Sequence, residues 1–291
     1  MDVSVIIVAF NSSEYIRKCV GSAVMQEGVA REIIVVDNGS TDGTLEAIKD
    51  LECLAIAGGG NLGFGPGNNK GFSASRGRYV FLLNPDAWLM EKNNLANLCE
   101  KMDAEARWGV AGTKVLSLDG TVQCFPDHHY PAQRHVHCDF SRLPGKIAWI
   151  IGASMFVRRD IYQRLGGFDP EFFPAYSEET DFCLRVREAG YEIGYIPEVA
   201  VTHVGGSSED ARDPYETSAR KLEGLMKFRQ KHYPAKDCVF LARRDLSRAR
   251  FRMLWNGFLA RWQPPNSKAW KKYRRYSAIW EVSRRHLSGL V

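Results

Sequence analysis

Four short apolar, β-branched runs, each followed by polar turn residues, occupy the first ninety residues, and this alternation narrows the possible folds more than any other feature of the chain. The run Val3–Ala9 has no helical period, and the polar stretch Asn11-Ser12-Ser13-Glu14 after it carries the residue types that cap a helix, here expected to run to about Met25. The cycle repeats: a strand over residues 32–36, the turn Asn38-Gly39-Ser40, a helix over 41–50 and a strand over 53–57. A glycine-rich loop, a helix over 65–76 and a strand over 79–83 complete it. Strands and helices in this order predict an α/β fold, a Rossmann-like and mainly parallel sheet flanked by helices, with ligands at the carboxyl ends of the strands.

Beyond Val110 the pattern changes to hairpin strands around Asp119-Gly120, then to an irregular, His-rich stretch over residues 125–146. Helical periodicity returns over 180–189 and dominates from Tyr215 on. The expected organisation is one domain over residues 1–235, with halves meeting at about 115/116, followed by a basic helical extension over 236–291.

Charge sets that extension apart. From Phe240 onward there are thirteen Lys and Arg against Asp245 and Glu281, which leaves, of 39 basic and 34 acidic residues in all, 26 basic and 32 acidic in the body. A strongly basic end on a mildly acidic body predicts an anionic partner surface. No apolar run approaches the roughly 18 residues of a spanning helix, and the start of the chain lacks the basic and small-residue features of a secretion signal. Seven scattered cysteines, with no C-x-x-C pair, read as reduced thiols. A cytoplasmic protein is expected, soluble or peripheral on the inner face of the cytoplasmic membrane.

Four places carry candidate chemistry. Asp37 ends the second strand before a tight polar turn, where a carboxylate can accept from a base or a ribose hydroxyl; the structural alternative is an ordinary turn with Asp37 as its cap. The loop Asn61-Leu62-Gly63-Phe64-Gly65-Pro66-Gly67-Asn68-Asn69 fails the dinucleotide pattern, because it follows the third strand and Pro66 interrupts the turn. Its glycines suit close backbone approach to a ligand, with Asn68 and Asn69 as amide donors, or simply a structural loop. Asn84-Pro85-Asp86 ends the fourth strand, a place suited to a hard cation such as Mg²⁺ or Mn²⁺. Glu178, Glu179 and Asp181 crowd the start of a helix, either to favour its dipole or to raise one another's pKa for general-base work. His203 closes an apolar strand expected to reach the same edge. A further group, His128, His129, His135, His137 and Cys138, matches no standard zinc spacing and reads as a mobile loop near the acceptor.

In this order, the four sites resemble the family-two glycosyltransferases of the GT-A fold, and within them the bacterial rhamnosyltransferase-like branch; the likeness covers about Val3 to Ser208. The resemblance implies an inverting transferase that uses a nucleoside diphosphate sugar and Mn²⁺ or Mg²⁺. It places Ala9, Phe10, Asn11, Asp37, Asn38, Asn61, Gly65, Asn68 and Asn84 around the nucleotide. It gives Asp86 and His203 to the metal, Glu179 to the base with Glu178 and Asp181 as neighbours, and Gly152, Ala153 and Ser154, followed by Arg158-Arg159 and Gly166-Gly167-Phe168-Asp169, to the sugar and acceptor cleft. Asn84 stands where the metal motif usually has aspartate, as it commonly does in this branch. The donor implied is dTDP-rhamnose or a UDP-sugar; the acceptor is a saccharide, free or lipid-linked.

Two rival readings follow from single features. Asn84 suggests a nucleotide-sugar-binding scaffold without catalysis. The arginines interleaved with Trp255, Trp262, Trp270 and Tyr273 suggest nucleic-acid binding, but nothing resembles a base-reading module and no nucleic-acid partner is expected. Within the tail, Leu254, Trp255, Phe258, Leu259 and Trp262 form an apolar stripe on one helix face. That stripe can pack on the fold, form a homodimer contact, or lie on an anionic membrane.

Overall fold

The computed structural model describes residues 1–205, 213–265 and 267–290. Strand β1 (Val3–Ala9) is buried along its whole length. β2 (Arg31–Asp37) and β4 (Tyr79–Leu83) flank it in parallel, and β3 (Leu54–Ala57) lies outside β2. Strands covered on both faces read as continuous apolar runs, which is why this half was visible in the sequence. The side chains of β1 alternate between two cores. Val3, Val5 and Ile7 face α1 (Ile16–Val24) and α3 (Asn94–Ala104), whereas Ile6 joins Val80 and Leu82 on the face that carries α4 (Arg159–Arg164) and α5 (Glu178–Glu188).

The rest of the sheet is mixed. β5 (Ala87–Leu89), β6 (Trp108–Leu116), β7 (Val122–Cys124), β8 (Ser154–Arg158) and β9 (Glu192–His203) extend it to nine strands in the order β3-β2-β1-β4-β8-β6-β9-β5, with β7 on β6. β8 is antiparallel to β4 and β6, and β5 is antiparallel to β9, while β9 runs parallel to β6, so parallel pairs occur in both halves of the sheet.

Two local expectations are corrected. No α-helix forms over residues 41–50, where only a 3-10 turn, Glu46–Ile48, appears. Nor do Ser12 and Ser13 cap α1. Instead the Ser12 and Ser13 N–H groups donate to Thr44 Oγ1 (2.8 Å) and Asp42 Oδ2 (2.9 Å), so hydroxyls and carboxylates that could have closed helix ends lace two loops together. Pro66, expected to interrupt, lies inside the first turn of α2 (Phe64–Ala74), where no intrahelical N–H is needed.

By internal contacts the chain forms two units: Met1–Tyr130, Ser141–Pro174 and Glu178–Ser208 in one, Pro131–Phe140, Ala175–Ser177 and Glu209–Val291 in the other. The second contains α6 (Pro214–His232), α7 (Ala235–Ala260) and α8 (Lys268–Leu290). Leu222 and Met226 of α6 share a core with Val282 of α8, and Arg229 of α6 pairs with Asp245 of α7 at 2.6 Å. The division therefore differs from the expected 235/236 boundary, because α6 belongs with the basic helices.

Candidate active site

The carboxyl ends of β1 and β2 carry two loops tied to each other. Asn11, at φ 47°, receives Thr41 N–H on its amide oxygen (2.9 Å) and donates its own N–H to Ser40 Oγ (2.9 Å). Burial alone would raise the Asp42 carboxyl, but bonds from Thr44 and Ser13 outweigh it and hold the group at about 2. Ala9 is buried and its carbonyl accepts Asn38 N–H, while Phe10 remains half-exposed. Asp37 is buried, accepts Ser40 N–H, and through its carbonyl receives Gly58 N–H at 2.6 Å. A side chain at Gly58 would meet that carbonyl oxygen at 2.6 Å and Asn38 Oδ1 at 3.0 Å, so only glycine lets this strand lie so close. Asn38 Nδ2 donates to Gly63 O, and Asn61 Oδ1 accepts Gly63 N–H.

The rest of the glycine loop packs against the sheet and the segment after α4. Gly67 and Gly71, one turn apart, press on Val8 and Ile6 of β1, and Gly65 lies against Phe168. Asn68 Nδ2 donates to Phe64 O one turn earlier. Asn69 donates to Phe168 O and accepts from Tyr162 Oη and Phe168 N, which joins α2 to the segment after α4. Neither amide is presented as the donor to a phosphate that the sequence suggested.

The end of β4 gathers the metal candidates. Asp86 is 3% exposed and His203 6%, and the β5–β9 register sets Ala87 opposite His203. His203 Nε2 stands 3.3 Å from Asp86 Oδ1 and 3.2 Å from Asn84 Nδ2, while Gly205 N–H donates to Asp86 Oδ2 (3.1 Å). Gln123, on β7, completes the group and was missed in the sequence. Its Nε2 donates to the carbonyl of His203 itself (3.3 Å), which turns its Oε1 toward His203 Nδ1 at 2.7 Å. Nδ1 thereby faces an acceptor oxygen, and Nε2 faces Asn84 and Asp86.

This cluster fits a hard divalent cation. Asn84 Oδ1 is buried with no hydrogen-bond partner among the described residues. One carboxylate oxygen, one imidazole nitrogen and one amide oxygen are donors that Mn²⁺ or Mg²⁺ accepts, with phosphate oxygens of a donor completing the shell. Among the described residues no three His, Cys, Asp or Glu side chains converge, so substrate oxygens would have to share the coordination.

The acidic helix start separates into unlike members. Asp181, fully buried, accepts from Arg185 Nε at 2.8 Å, and the same guanidinium donates to Leu165 O and Gly167 O. That pairing removes Asp181 from the candidates for general base. Glu178 is buried, whereas Glu179 is half-exposed and its Cβ lies 3.6 Å from where a Gly152 side chain would begin. Tyr176 and Ser177, at φ 87° and 71°, turn the chain sharply into α5, strained backbone of the kind that accumulates at functional sites.

Gly152 also faces the Phe64 ring, and the next carbonyl, of Ala153, accepts Asn84 N–H at 3.0 Å. His203 thus meets both Asp86 and Asn84, Asn84 is bonded to Ala153, and the preceding residue, Gly152, lies near Glu179. Ser154 does not face the cleft, since its hydroxyl is buried against Thr113 (2.7 Å). Arg158 and Arg159 are also structural: Arg158 binds Trp108 O and Tyr79 Oη, at the opposite end of β4, and Arg159 binds Ser75 Oγ. Gly167 packs on Asn69 and Tyr162, and Asp169 caps a short 3-10 turn. In the His-rich stretch, His128 Nδ1 meets Lys146 O, whereas His137 binds Asp237.

A mixed sheet with a parallel first half, an acidic strand end and an acidic helix start is the GT-A architecture of sugar-transferring enzymes. A model of the family described as "Glycosyl transferase family 2" matches residues 4–166, and the chain belongs to that family. Among its relatives, the N-acetylglucosaminyl-diphospho-decaprenol L-rhamnosyltransferase of Mycobacterium tuberculosis (strain ATCC 25618 / H37Rv) is 25% identical over 248 residues, 72% of this chain and 78% of that protein. The succinoglycan biosynthesis protein ExoO of Rhizobium meliloti (strain 1021) is 37% identical over 123 residues, which span 41% of this chain and only 35% of that protein. In structure, the mannosyltransferase PcManGT of Pyrobaculum calidifontis, solved with GDP-Man and Mn²⁺, matches with a TM-score of 0.57 at 17% identity over 99% of this chain and 74% of that one. Residues 1–349 of S. aureus TarS match at 0.58 and 15% identity over 99% and 92%.

Proposed function

We propose that this glycosyltransferase moves one sugar from a nucleoside diphosphate donor to a saccharide hydroxyl with inversion at the anomeric carbon. The observation that carries the reading is the buried pairing of His203 with Asp86 beside Asn84, with Asn84 bonded to Ala153 and the half-exposed Glu179 near the adjoining Gly152. Glu179 takes the acceptor proton as the hydroxyl oxygen bonds to the anomeric carbon and the bond from that carbon to the diphosphate oxygen breaks. The Asp37–Asn38 turn and the loop through Asn61 hold the nucleoside. Asp86, His203 and Asn84 Oδ1 hold Mn²⁺ or Mg²⁺, which when bound neutralises charge on the departing diphosphate.

The M. tuberculosis relative is named as an L-rhamnosyltransferase that acts on N-acetylglucosaminyl-diphospho-decaprenol, which supports rhamnose as the sugar and a lipid-linked saccharide as the acceptor. The donor is then dTDP-rhamnose, or alternatively a UDP-sugar, in cell-surface glycan synthesis. Such an acceptor would place the enzyme at the inner face of the cytoplasmic membrane. Incubation of the purified chain and Mn²⁺ with a panel of nucleotide sugars and saccharide acceptors should release nucleoside diphosphate with one donor, and NMR of the product should show the inverted anomer. Retained configuration, or no release with any donor, would overturn the reading.

A further inference from the structure

Helix α7 has two faces of opposite character. Ala242, Ala249 and Asn256, seven residues apart, are buried, and α7 packs on α8 with Tyr273 ring carbons 3.1 Å from where a Gly257 side chain would begin. The opposite face carries Phe251, Leu254, Trp255 and Phe258, which are 74, 62, 58 and 58% exposed, and Trp262, in the turn just past the helix end, is 81% exposed. At 100° per residue the four on the helix fall within an arc of about 100°. The expected stripe is therefore real but shifted: Leu259 is half-buried and Phe251 takes its place.

Arginines line both edges of that stripe. Arg243, Arg250 and Arg261 fall on one side and Arg248 and Arg252 on the other, all exposed. The two acids of α7 lie elsewhere, with Asp237 bound by His137 and Asp245 by Arg229. Among the described residues no helix is long and apolar enough to cross a membrane.

We propose that this face of α7 is an interfacial membrane-binding surface, lying in the plane of an anionic bilayer with its aromatic rings at the acyl boundary and its arginines among the phosphates. Aromatic and aliphatic side chains this exposed in a row need a partner. Self-pairing is disfavoured, because with arginines on both edges two copies set like charges together in either direction. Nucleic acid would use the arginines but leave Leu254 and Phe258 in water. The purpose of the surface rests on the lipid-linked acceptor proposed above; its test does not.

Truncation before α7 would break the helical unit, so exposed substitutions on the full chain are the proper probe. The intact protein should sediment with vesicles of equal parts phosphatidylcholine and phosphatidylglycerol, less so at high salt, and hardly at all with pure phosphatidylcholine. Trp255→Glu with Phe258→Glu should lower the bound fraction about tenfold or more, and Arg243→Gln with Arg250→Gln and Arg261→Gln should lower binding to anionic vesicles by a similar factor. Both variants should keep full transfer to a water-soluble acceptor, so loss of lipid binding is separable from failure of the catalytic reading. An intact chain that stays in the supernatant, variants that sediment like the parent, or a lipid-free dimer that the Trp255→Glu/Phe258→Glu variant dissolves would each overturn the proposal.

Discussion

Asp86 at the end of β4 and Asp181 in the first turn of α5 are both closed off from solvent, 3% and 0% exposed, and each sits beside a basic side chain. Asp181 faces a guanidinium that also holds two backbone carbonyls, a partner that cannot leave or give up its proton. Asp86 faces one imidazole nitrogen of His203, whose other nitrogen meets Gln123 Oε1, beside an amide oxygen that bonds to nothing among the described residues. Burial does not separate a structural acid from a binding one. The separation comes from whether the surrounding donors are already satisfied, and variants that exchange those conditions put it to the test.

The largest effect belongs to the acid that neither environment claims. Glu179→Gln should lower the transfer rate by about 10²–10⁴ while binding of the nucleotide sugar, measured by calorimetry, is retained. Transfer within tenfold of the parent would shift the base role to Glu178. Next comes the cation: Asp86→Ala should weaken Mn²⁺ binding about a hundredfold or more in equilibrium dialysis, and EDTA should stop transfer until Mn²⁺ or Mg²⁺ is restored. Full activity in chelator with no bound metal would place Asp86 with Asp181 among structural groups.

Asp181→Ala should act on stability instead, costing about 3–5 kcal/mol in urea unfolding because Arg185, 17% exposed, is left with a buried charge. The folded fraction should bind Mn²⁺ like the parent. Asp181→Leu with Arg185→Met should recover part of the loss, since it removes the pair rather than one partner.

How much of this was visible in the chain depends on distance along it. The runs at residues 3–9, 32–36 and 79–83 declared buried strands because both faces are covered, and the acids at strand and helix ends could be named from position alone. What the partners of those acids do could not. Asn84 and Asp86 meet His203 at sequence separations of 119 and 117, contacts that exist only because β5 runs against β9. Asn69 and Arg158 looked like ligand groups for want of knowledge that Phe168, Tyr162, Trp108 and Tyr79 would claim them. The missing helix after Thr41 has the same cause, since Asp42 and Thr44 hold the β1 loop rather than a helix end.

The smallest expected effect is at Gln123, a residue with no sequence signal beyond its place after the Asp119-Gly120 turn, and it tests the comparison at its root. If Asp86 differs from Asp181 because its imidazole neighbour is held with the proton on Nδ1, then whatever accepts that proton matters and the shape of the residue does not. Gln123→Leu removes the acceptor at 2.7 Å and the donor to His203 O while keeping similar bulk. Loss of such an outer partner typically weakens metal binding about 10–100-fold. Gln123→Glu supplies a carboxylate oxygen to the same Nδ1–H and should stay near the parent in affinity, although it too loses the bond to the carbonyl. Mn²⁺ titration followed by electron paramagnetic resonance gives the affinities, and the ¹⁵N shifts of His203 in the metal-free protein report which ring nitrogen is protonated. Equal weakening in both variants, with an unchanged tautomer in Gln123→Leu, would show that Gln123 merely packs the β7 strand and that the orientation of His203 is set elsewhere.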